Sequence, residues 1–458
     1  MLSFSLNMNK IFNPKTIAIV GASAKPGKVG NVLLRNLKEA KNFKLFPINP
    51  HEKKILGLKC YPTVKDVSSA IDLAIIAVPA DVVLNVVNDC AEKGIKHCII
   101  ITSGFSEIGN TRLENKLKKL LIKNNINAVG VNCLGIYDAH SKLDSIFIPK
   151  ERMHRPSKGS VAFLCQSGAI GAAILDLLAM QNYGVSKFIS YGNATVLDES
   201  DYLRYLANDP KTKIICFYLE AVKDGKKFIK VVKKLTKKKP IIALKGGITE
   251  EGARATLSHT GSLAGSPKVY EGVFRQFNII QANSLKEMFN IARILDKCPK
   301  PKGNKIQIIT NGGGYGILTT DCIVKNSLKL AKPTKSTKEK LVKKFPKNVI
   351  VANPIDLLGD ADDMRYKLAL DTCIEDKNID IIVLIILPQT PLLTKNLVSV
   401  FKKAKQKSDK PIIAILTGGN YTQEIKKAIE QQAQIPCFDF PEEAIISLKK
   451  VLLYYNLI

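Results

Sequence analysis

The chain has 458 residues, too many for one ordinary core, so two to four domains are expected and three is the central expectation. Hydrophobic residues make up 46% and charged residues 24%, which excludes a disordered chain, and no apolar run approaches the ~20 residues that span a bilayer. The net charge of +29 comes mostly from dispersed lysine, with little arginine and no tryptophan, so it reads as a solvated basic surface and not as a nucleic-acid face.

In chain order, the opening "MLSFSLNMNKIF" is too short and too weakly apolar for a signal peptide and reads as an N-terminal tail. Three later segments share one rhythm of β-branched run, glycine turn and helical pattern. They are "TIAIVGASAKPGKVGNVLLRNLKEA" (16–40), "GSVAFLCQSGAIGAAILDLLAMQ" (159–181) and "KIQIITNGGGYGILTTDCIVK" (305–325). Further apolar runs fall at 72–78, 98–102, 214–219, 240–244, 380–387 and 411–416. Continuous apolar strands alternating with helices predict mostly parallel sheets covered on both faces. The polar breakers "IPKERMHRPSKG" (148–159) and "DKCPKPKGNK" (296–305) divide the chain into expected domains 1–150, 151–298 and 299–458. The expectation is an α/β protein of three consecutive Rossmann- or flavodoxin-like domains. The ten cysteines are scattered without CxxC or zinc-ligand spacing, which predicts reduced thiols used as small hydrophobes in a cytoplasm.

A glycine turn between strand and helix lets backbone amides approach a ligand and aims a helix dipole at it, so all three turns should attract anions. The first is not a Walker loop, because five residues separate Gly21 from Gly27 and Val29 follows Lys28. It fits NAD poorly, since the second strand offers Asn49 where an acidic residue would hold a ribose. Lys25, Lys28, Lys53 and Lys54 instead make its mouth basic, which suits a ligand with several phosphates. The turns "CQSGAIG" and "TNGGGYGI" suggest a phosphate held between two helix N-termini.

His259 lies in "LSHTGSLAG" among hydroxyls and glycines, inside a stretch (246–265) that reads as a long mobile loop. No second metal-ligand residue lies nearby, so metal binding is disfavoured. General-base work is one option, and nucleophilic capture of a phosphoryl group fits better. Such a role needs an acceptor for the other ring nitrogen, and Glu220, at the end of the apolar run "FYLEAV", is placed for it. A solvated loop acid is the competing reading of that residue.

These motifs, with "GVNCLGI" (130–136), "EGARATLSHTGSLAGS" and "NPIDLLGDA" (353–361), resemble the α subunits of ADP-forming acetyl-CoA synthetases, the nucleoside-diphosphate-forming relatives of succinyl-CoA synthetase. The resemblance runs from about Asn9 to the end of the chain, with Val131 where that family usually has proline. It implies coenzyme A bound through Gly21, Ser23, Lys25, Gly27, Lys28 and Gly30, with Asn132 near its thiol. It implies His259 as a phosphohistidine oriented by Glu220, and Gln166, Ser167 and Gly168, with Gly313 and Gly314, at the phosphate. No resident metal is expected on this chain. ADP or ATP with Mg2+ would be held mainly by a separate ATP-grasp β subunit, in an α2β2 assembly without nucleic acid or membrane. A CoA-binding regulatory protein without turnover, a Rossmann dehydrogenase and a nucleic-acid binder are the competing readings.

Overall fold

The computed structural model describes residues 8–260 and 265–458, with only the backbone for residues 255 and 257–260. The chain forms two compact units, Met1–Gln281 and Ala282–Ile458.

The first unit holds two large sheets. One is a five-stranded parallel sheet ordered Lys44–Ile48, Thr16–Val20, Leu73–Ile76, His97–Ile100, Asn127–Gly130. The other has seven strands, ordered Ile280–Ala282, Ile241–Lys245, Ile214–Leu219, Lys158–Cys165, Val185–Ser190, Gly135–Asp138, Leu143–Asp144. Its central pairs are parallel, and the last two strands add antiparallel. The apolar runs become these strands because helices cover both faces, so no polar alternation is required. One hydrophobic core joins the two sheets, since Ile17, Leu33, Ile75 and Val129 of the first cluster with Ile136, Leu164, Ile215 and Phe217 of the second.

The second unit carries another seven-stranded sheet. Its main order is Ile350–Val351, Ile355–Asp356, Lys305–Thr310, Ile381–Ile385, Ile412–Ile415, Cys437–Phe438, and Lys329–Leu330 pairs beside Lys305. All its pairs are parallel except the first, around a core of its own. Nine of the ten cysteines are buried and all ten are unpaired thiols.

Three local expectations change. Residues 135–144, expected in the first domain, form strands of the second sheet, because Ile136 and Leu143 bury there. Helix Leu285–Lys297 packs on helix Pro441–Tyr454 and so sits with the third sheet and not, as the breaker at 296–305 suggests, with the second. The tail is partly built in: Asn9–Phe12 is a short helix, and Phe12 is fully buried and stacks on Tyr205 at 4.4 Å.

Candidate functional site

The first glycine turn follows strand Thr16–Val20 and opens helix Val29–Glu39. Gly21 has φ +88°, and a Cβ at Gly30 would lie 1.9 Å from the Gly21 carbonyl oxygen, so both glycines are demanded by the close approach of turn and helix. Asn49 closes the turn from the neighbouring strand end, donating to the Ala22 carbonyl at 2.8 Å. Ser23 accepts from the Lys25 amide at 3.1 Å, and Asn31 donates to the Ser23 carbonyl at 2.9 Å. The outer half of the turn is open. Lys25, Gly27 and Lys28 are exposed, Gly27 has free space around it, and no ion pair engages Lys25, Lys28, Lys53 or Lys54 among the described residues. A polyphosphate could thus meet free ammonium groups without displacing an ion pair.

Beside this turn a cavity of about 690 Å³ opens where the carboxyl ends of the two sheets of the first unit meet. The first sheet contributes Ala77–Ala80, Ile101–Ser103 and Asn132–Leu134, together with Val29. The second contributes Gln166–Ala169, Gly192–Asn193, Glu220 and Lys223. This is the edge at which parallel α/β sheets gather ligands. Asn132, Gln166, Ser167, Gly168 and Glu220, far apart in sequence, therefore share one cavity.

Asn132 sits in a turn with φ +52° after a cis Gly130–Val131 peptide. The turn is tied down: the Val131 amide donates to Thr195 Oγ1 at 3.4 Å, a bond proline could not make, and the Asn193 amide donates to the Val131 carbonyl at 3.0 Å. Asn132 Nδ2 donates to Asn193 Oδ1 at 3.2 Å. Asn193 Nδ2 in turn donates to Glu107 at 2.6 Å and to Glu114 at 3.1 Å. Cys133, beside it, is no nucleophile, because burial pushes its thiol up to about 12.

Ser167 caps helix Gly168–Met180, its hydroxyl accepting from the Ile170 amide at 3.4 Å. Gln166 does something the sequence did not foretell. Its Oε1 accepts from the amides of Glu220 at 2.8 Å and Ala221 at 3.1 Å, so this buried side chain fixes the strand end that carries the carboxylate. Glu220 is itself only 6% exposed and accepts from the Tyr218 hydroxyl at 3.3 Å. A solvated loop acid is excluded by that burial. Glu199 holds the same loop from beneath, accepting from the Lys223 amide at 3.1 Å, and burial raises its own carboxyl to about 7.

Lys245 is one lysine among many in the sequence. It ends strand Ile241–Lys245, is 5% exposed, and its ammonium donates to the Gly246 carbonyl and lies 4.8 Å from the centre of the Tyr270 ring. Its one sequence signal is a cation at the end of an otherwise apolar run, immediately before two glycines.

Within the stretch 246–265, Glu250–Thr260 is a helix and not the loop expected. Thr249 starts it, its hydroxyl accepting from the Gly252 amide at 3.0 Å, with Glu250 and Glu251 at the positive end of the dipole. The His259 backbone belongs to this helix, and its side chain lies outside the described residues. Gly313 and Gly314 belong to the second unit, where they open helix Gly313–Lys325. A Cβ at Gly313 would lie 2.8 Å from Asp356 Oδ2, so a carboxylate already stands at that helix start.

Family models match the chain in three stretches: a CoA binding domain over residues 15–139, a succinyl-CoA ligase like flavodoxin domain over 158–295, and a ligase-CoA domain over 306–451. The chain is 40% identical over 444 residues to the acetate–CoA ligase (ADP-forming) II subunit alpha of Pyrococcus furiosus, covering 95% of each. It is 47% identical over 348 residues to an acetate–CoA ligase (ADP-forming) of Methanocaldococcus jannaschii, covering 76% of this chain and 49% of that longer protein. Among solved structures, the dinucleotide-forming acetyl-coenzyme A synthetase 1 of Candidatus Korarchaeum cryptofilum, in complex with phosphate and ADP, matches at a TM-score of 0.91 and 37% identity, covering 98% of this chain and 97% of that one.

Proposed function

The chain belongs to the ADP-forming acetate–CoA ligase family, and from that premise we propose that it interconverts acyl-CoA, ADP and phosphate with free acid, CoA and ATP as the α subunit of such an enzyme. The observation that carries the residue assignment is the buried Glu220, pinned by Gln166 at the wall of the cavity that also holds Asn132. The open turn at Gly21, Ser23, Lys25, Gly27, Lys28 and Gly30 takes the phosphates of CoA. Its pantetheine arm runs into the cavity and brings the thioester to Asn132. The capped helix start at Gln166, Ser167 and Gly168 faces the reacting phosphate, and Gly313 and Gly314 open the third of the chain's anion-seeking helices.

The steps balance without an outside proton. An oxygen of hydrogen phosphate attacks the thioester carbonyl, the C–S bond breaks, and the phosphate proton goes to the leaving thiolate. A nitrogen of the neutral His259 imidazole then attacks phosphorus, and the acyl carboxylate leaves with the P–O electron pair. Glu220 meets the charge that develops on the ring and holds the proton on its other nitrogen. An oxygen of the ADP β-phosphate finally attacks phosphorus, the P–N bond breaks, and the imidazole returns neutral.

The nucleotide and its Mg2+ are assigned to a separate ATP-grasp β subunit, with α2β2 as the assembly. The subunit-alpha names of two relatives support a separate partner. So does the longer relative of which this chain spans only 49%. A cytoplasmic site of action fits the unpaired thiols, and among the described residues no helix is long and apolar enough to cross a membrane. The test is acid-labile, base-stable label from radioactive phosphate supplied with acetyl-CoA. His259→Ala should carry none, and Glu220→Gln should acquire it about 10²–10⁴-fold more slowly. Label on the His259→Ala protein would place the phosphoryl group elsewhere.

A further inference from the structure

A buried ammonium without a counter-ion is expensive, and an apolar side chain of similar length would serve packing better. Lys245 is such a group. It is 5% exposed, and no carboxylate lies within ion-pair distance of it among the described residues. Its contacts are the Gly246 carbonyl and the face of Tyr270. Its place is specific: Lys245 pairs with Leu219 across the sheet, directly before Glu220. A Cβ on Gly246 would lie 3.6 Å from Glu220 Cγ, so the carboxylate packs against the residue whose carbonyl the ammonium holds.

Resting on the reading of His259 as phosphoryl acceptor, we infer that Lys245 is a positioning residue of the phosphoryl-transfer site, its buried charge offsetting that of Glu220 as a phosphoryl group arrives. Glu220 has two conflicting duties. It must hold the imidazole proton, and it must not repel a doubly negative acyl phosphate. A cation set behind it, too far to form an ion pair and so to neutralise its hydrogen bonding, reconciles the two.

The charge on Lys245 is conditional. Burial pulls its ammonium down to about 8, against a smaller opposing pull from Glu220. Among the described residues, the groups that act on it are Glu220, just past strand Ile214–Leu219, and Tyr270 from helix Pro267–Gln276, with Tyr218, Cys165 and Glu199 acting on those in turn. Burial raises both tyrosines and the thiol above their ordinary values, so they stay neutral near pH 8, and Glu199 titrates lower, at about 7. An alkaline loss of phosphoryl transfer centred near pH 8 is therefore the signature expected of Lys245.

The experiment measures, by rapid quench, the rate at which the full chain acquires label from radioactive phosphate and acetyl-CoA, between about pH 6.5 and about 9.5. The native chain should slow by about tenfold per pH unit above the midpoint. Lys245→Arg keeps its charge throughout, so its profile should stay level across the range. Lys245→Met should be slower at neutral pH by on the order of 10–100-fold and lack the alkaline limb. A native profile level to the top of the range, which needs no variant to fold, would overturn the role of Lys245, as would one limb shared by all three proteins. Absence of acid-labile label at every pH would instead remove the phosphohistidine reading on which the role rests.

Discussion

The helix that starts at Gly168 and the helix that starts at Gly313 both follow an apolar strand and a small-residue turn, and each has a carboxylate at the end of the adjoining strand. At the first, the carboxylate is Glu220, whose backbone is held by Gln166 and which has Lys245 behind it. The helix is capped by a neutral hydroxyl and opens onto the cavity. At the second, Gly312 offers no side-chain cap, and Thr310 braces the turn by bonding to the amide and carbonyl of Gly312 at 2.9 and 3.0 Å. Asp356 stands against Gly313, and the cation beside it, Arg365, pairs with the Asp360 carboxylate and donates to the Leu357 carbonyl at 2.7 Å. One sequence rhythm thus yields two different electrostatic sites. The rhythm sets the direction of the dipole, and neighbouring strands set how much negative charge it can still accept.

The sharpest way to break this contrast is to free the first carboxylate. Gln166→Leu keeps the volume but leaves the buried amides of Glu220 and Ala221 without their acceptor. It should slow phosphoenzyme formation by about 10²-fold, read by rapid quench, and cost about 1–3 kcal/mol of stability. A native rate in this variant would mean that Glu220 needs no fixing and that the two helix starts are equivalent.

A smaller effect comes from the buried cation behind the first start. The folded chain holds the Lys245 proton with a value of about 8, below the ordinary 10.5 that the unfolded chain would show. Burying the charge therefore costs stability in full below about pH 8, and the cost fades as pH rises towards the unfolded value. Lys245→Met removes it. The variant should be more stable than the native chain by about 2 kcal/mol at neutral pH, with the gain shrinking towards zero near pH 10. Denaturant midpoints at the two pH values decide it, and a pH-independent loss of stability would show that the charge is fully compensated elsewhere.

The smallest change is expected at the second start. Asp356→Asn keeps an acceptor for the Leu358 amide, which Asp356 Oδ1 binds at 3.0 Å, and removes the charge. Stability should fall by only about 0.3–1 kcal/mol, from the lost dipole interaction. The KM for phosphate should drop a few-fold if that helix serves the anion. An unchanged or raised KM would take Gly313 and Gly314 out of the phosphate site.

Much of this was readable along the chain. Strands at 73–76, 214–219 and 381–385 fall within apolar runs, because a strand covered on both faces needs no polar alternation. Gly21 and Gly30 were readable as a turn because their backbone geometry admits no side chain. The helix Glu250–Thr260 was not readable as such. The glycines, hydroxyls and lone imidazole of 246–265 point to a loop, while the signals that build the helix, Thr249 as cap and two glutamates in the first turn, are short and local. The breaker at 148–159 was a true polar segment, yet it did not bound a sheet, because strand pairing of Gly135–Asp138 with Val185–Ser190 is a long-range event.

By itself, the order of residues determined the α/β class, the three anion-seeking turns and the pairing of His259 with Glu220 as candidates, since each rests on local periodicity or on a residue type that packing cannot explain. Only the tertiary structure decided that the first two sheets share one core, and so set their carboxyl ends around a common cavity. It alone made Gln166 the brace of Glu220, and picked Lys245 out of a lysine-rich chain as a buried one without an ion pair among the described residues, unlike buried Lys187 and Lys426. The physical reason is that burial and charge compensation depend on what the other strands bring alongside, which no local pattern encodes.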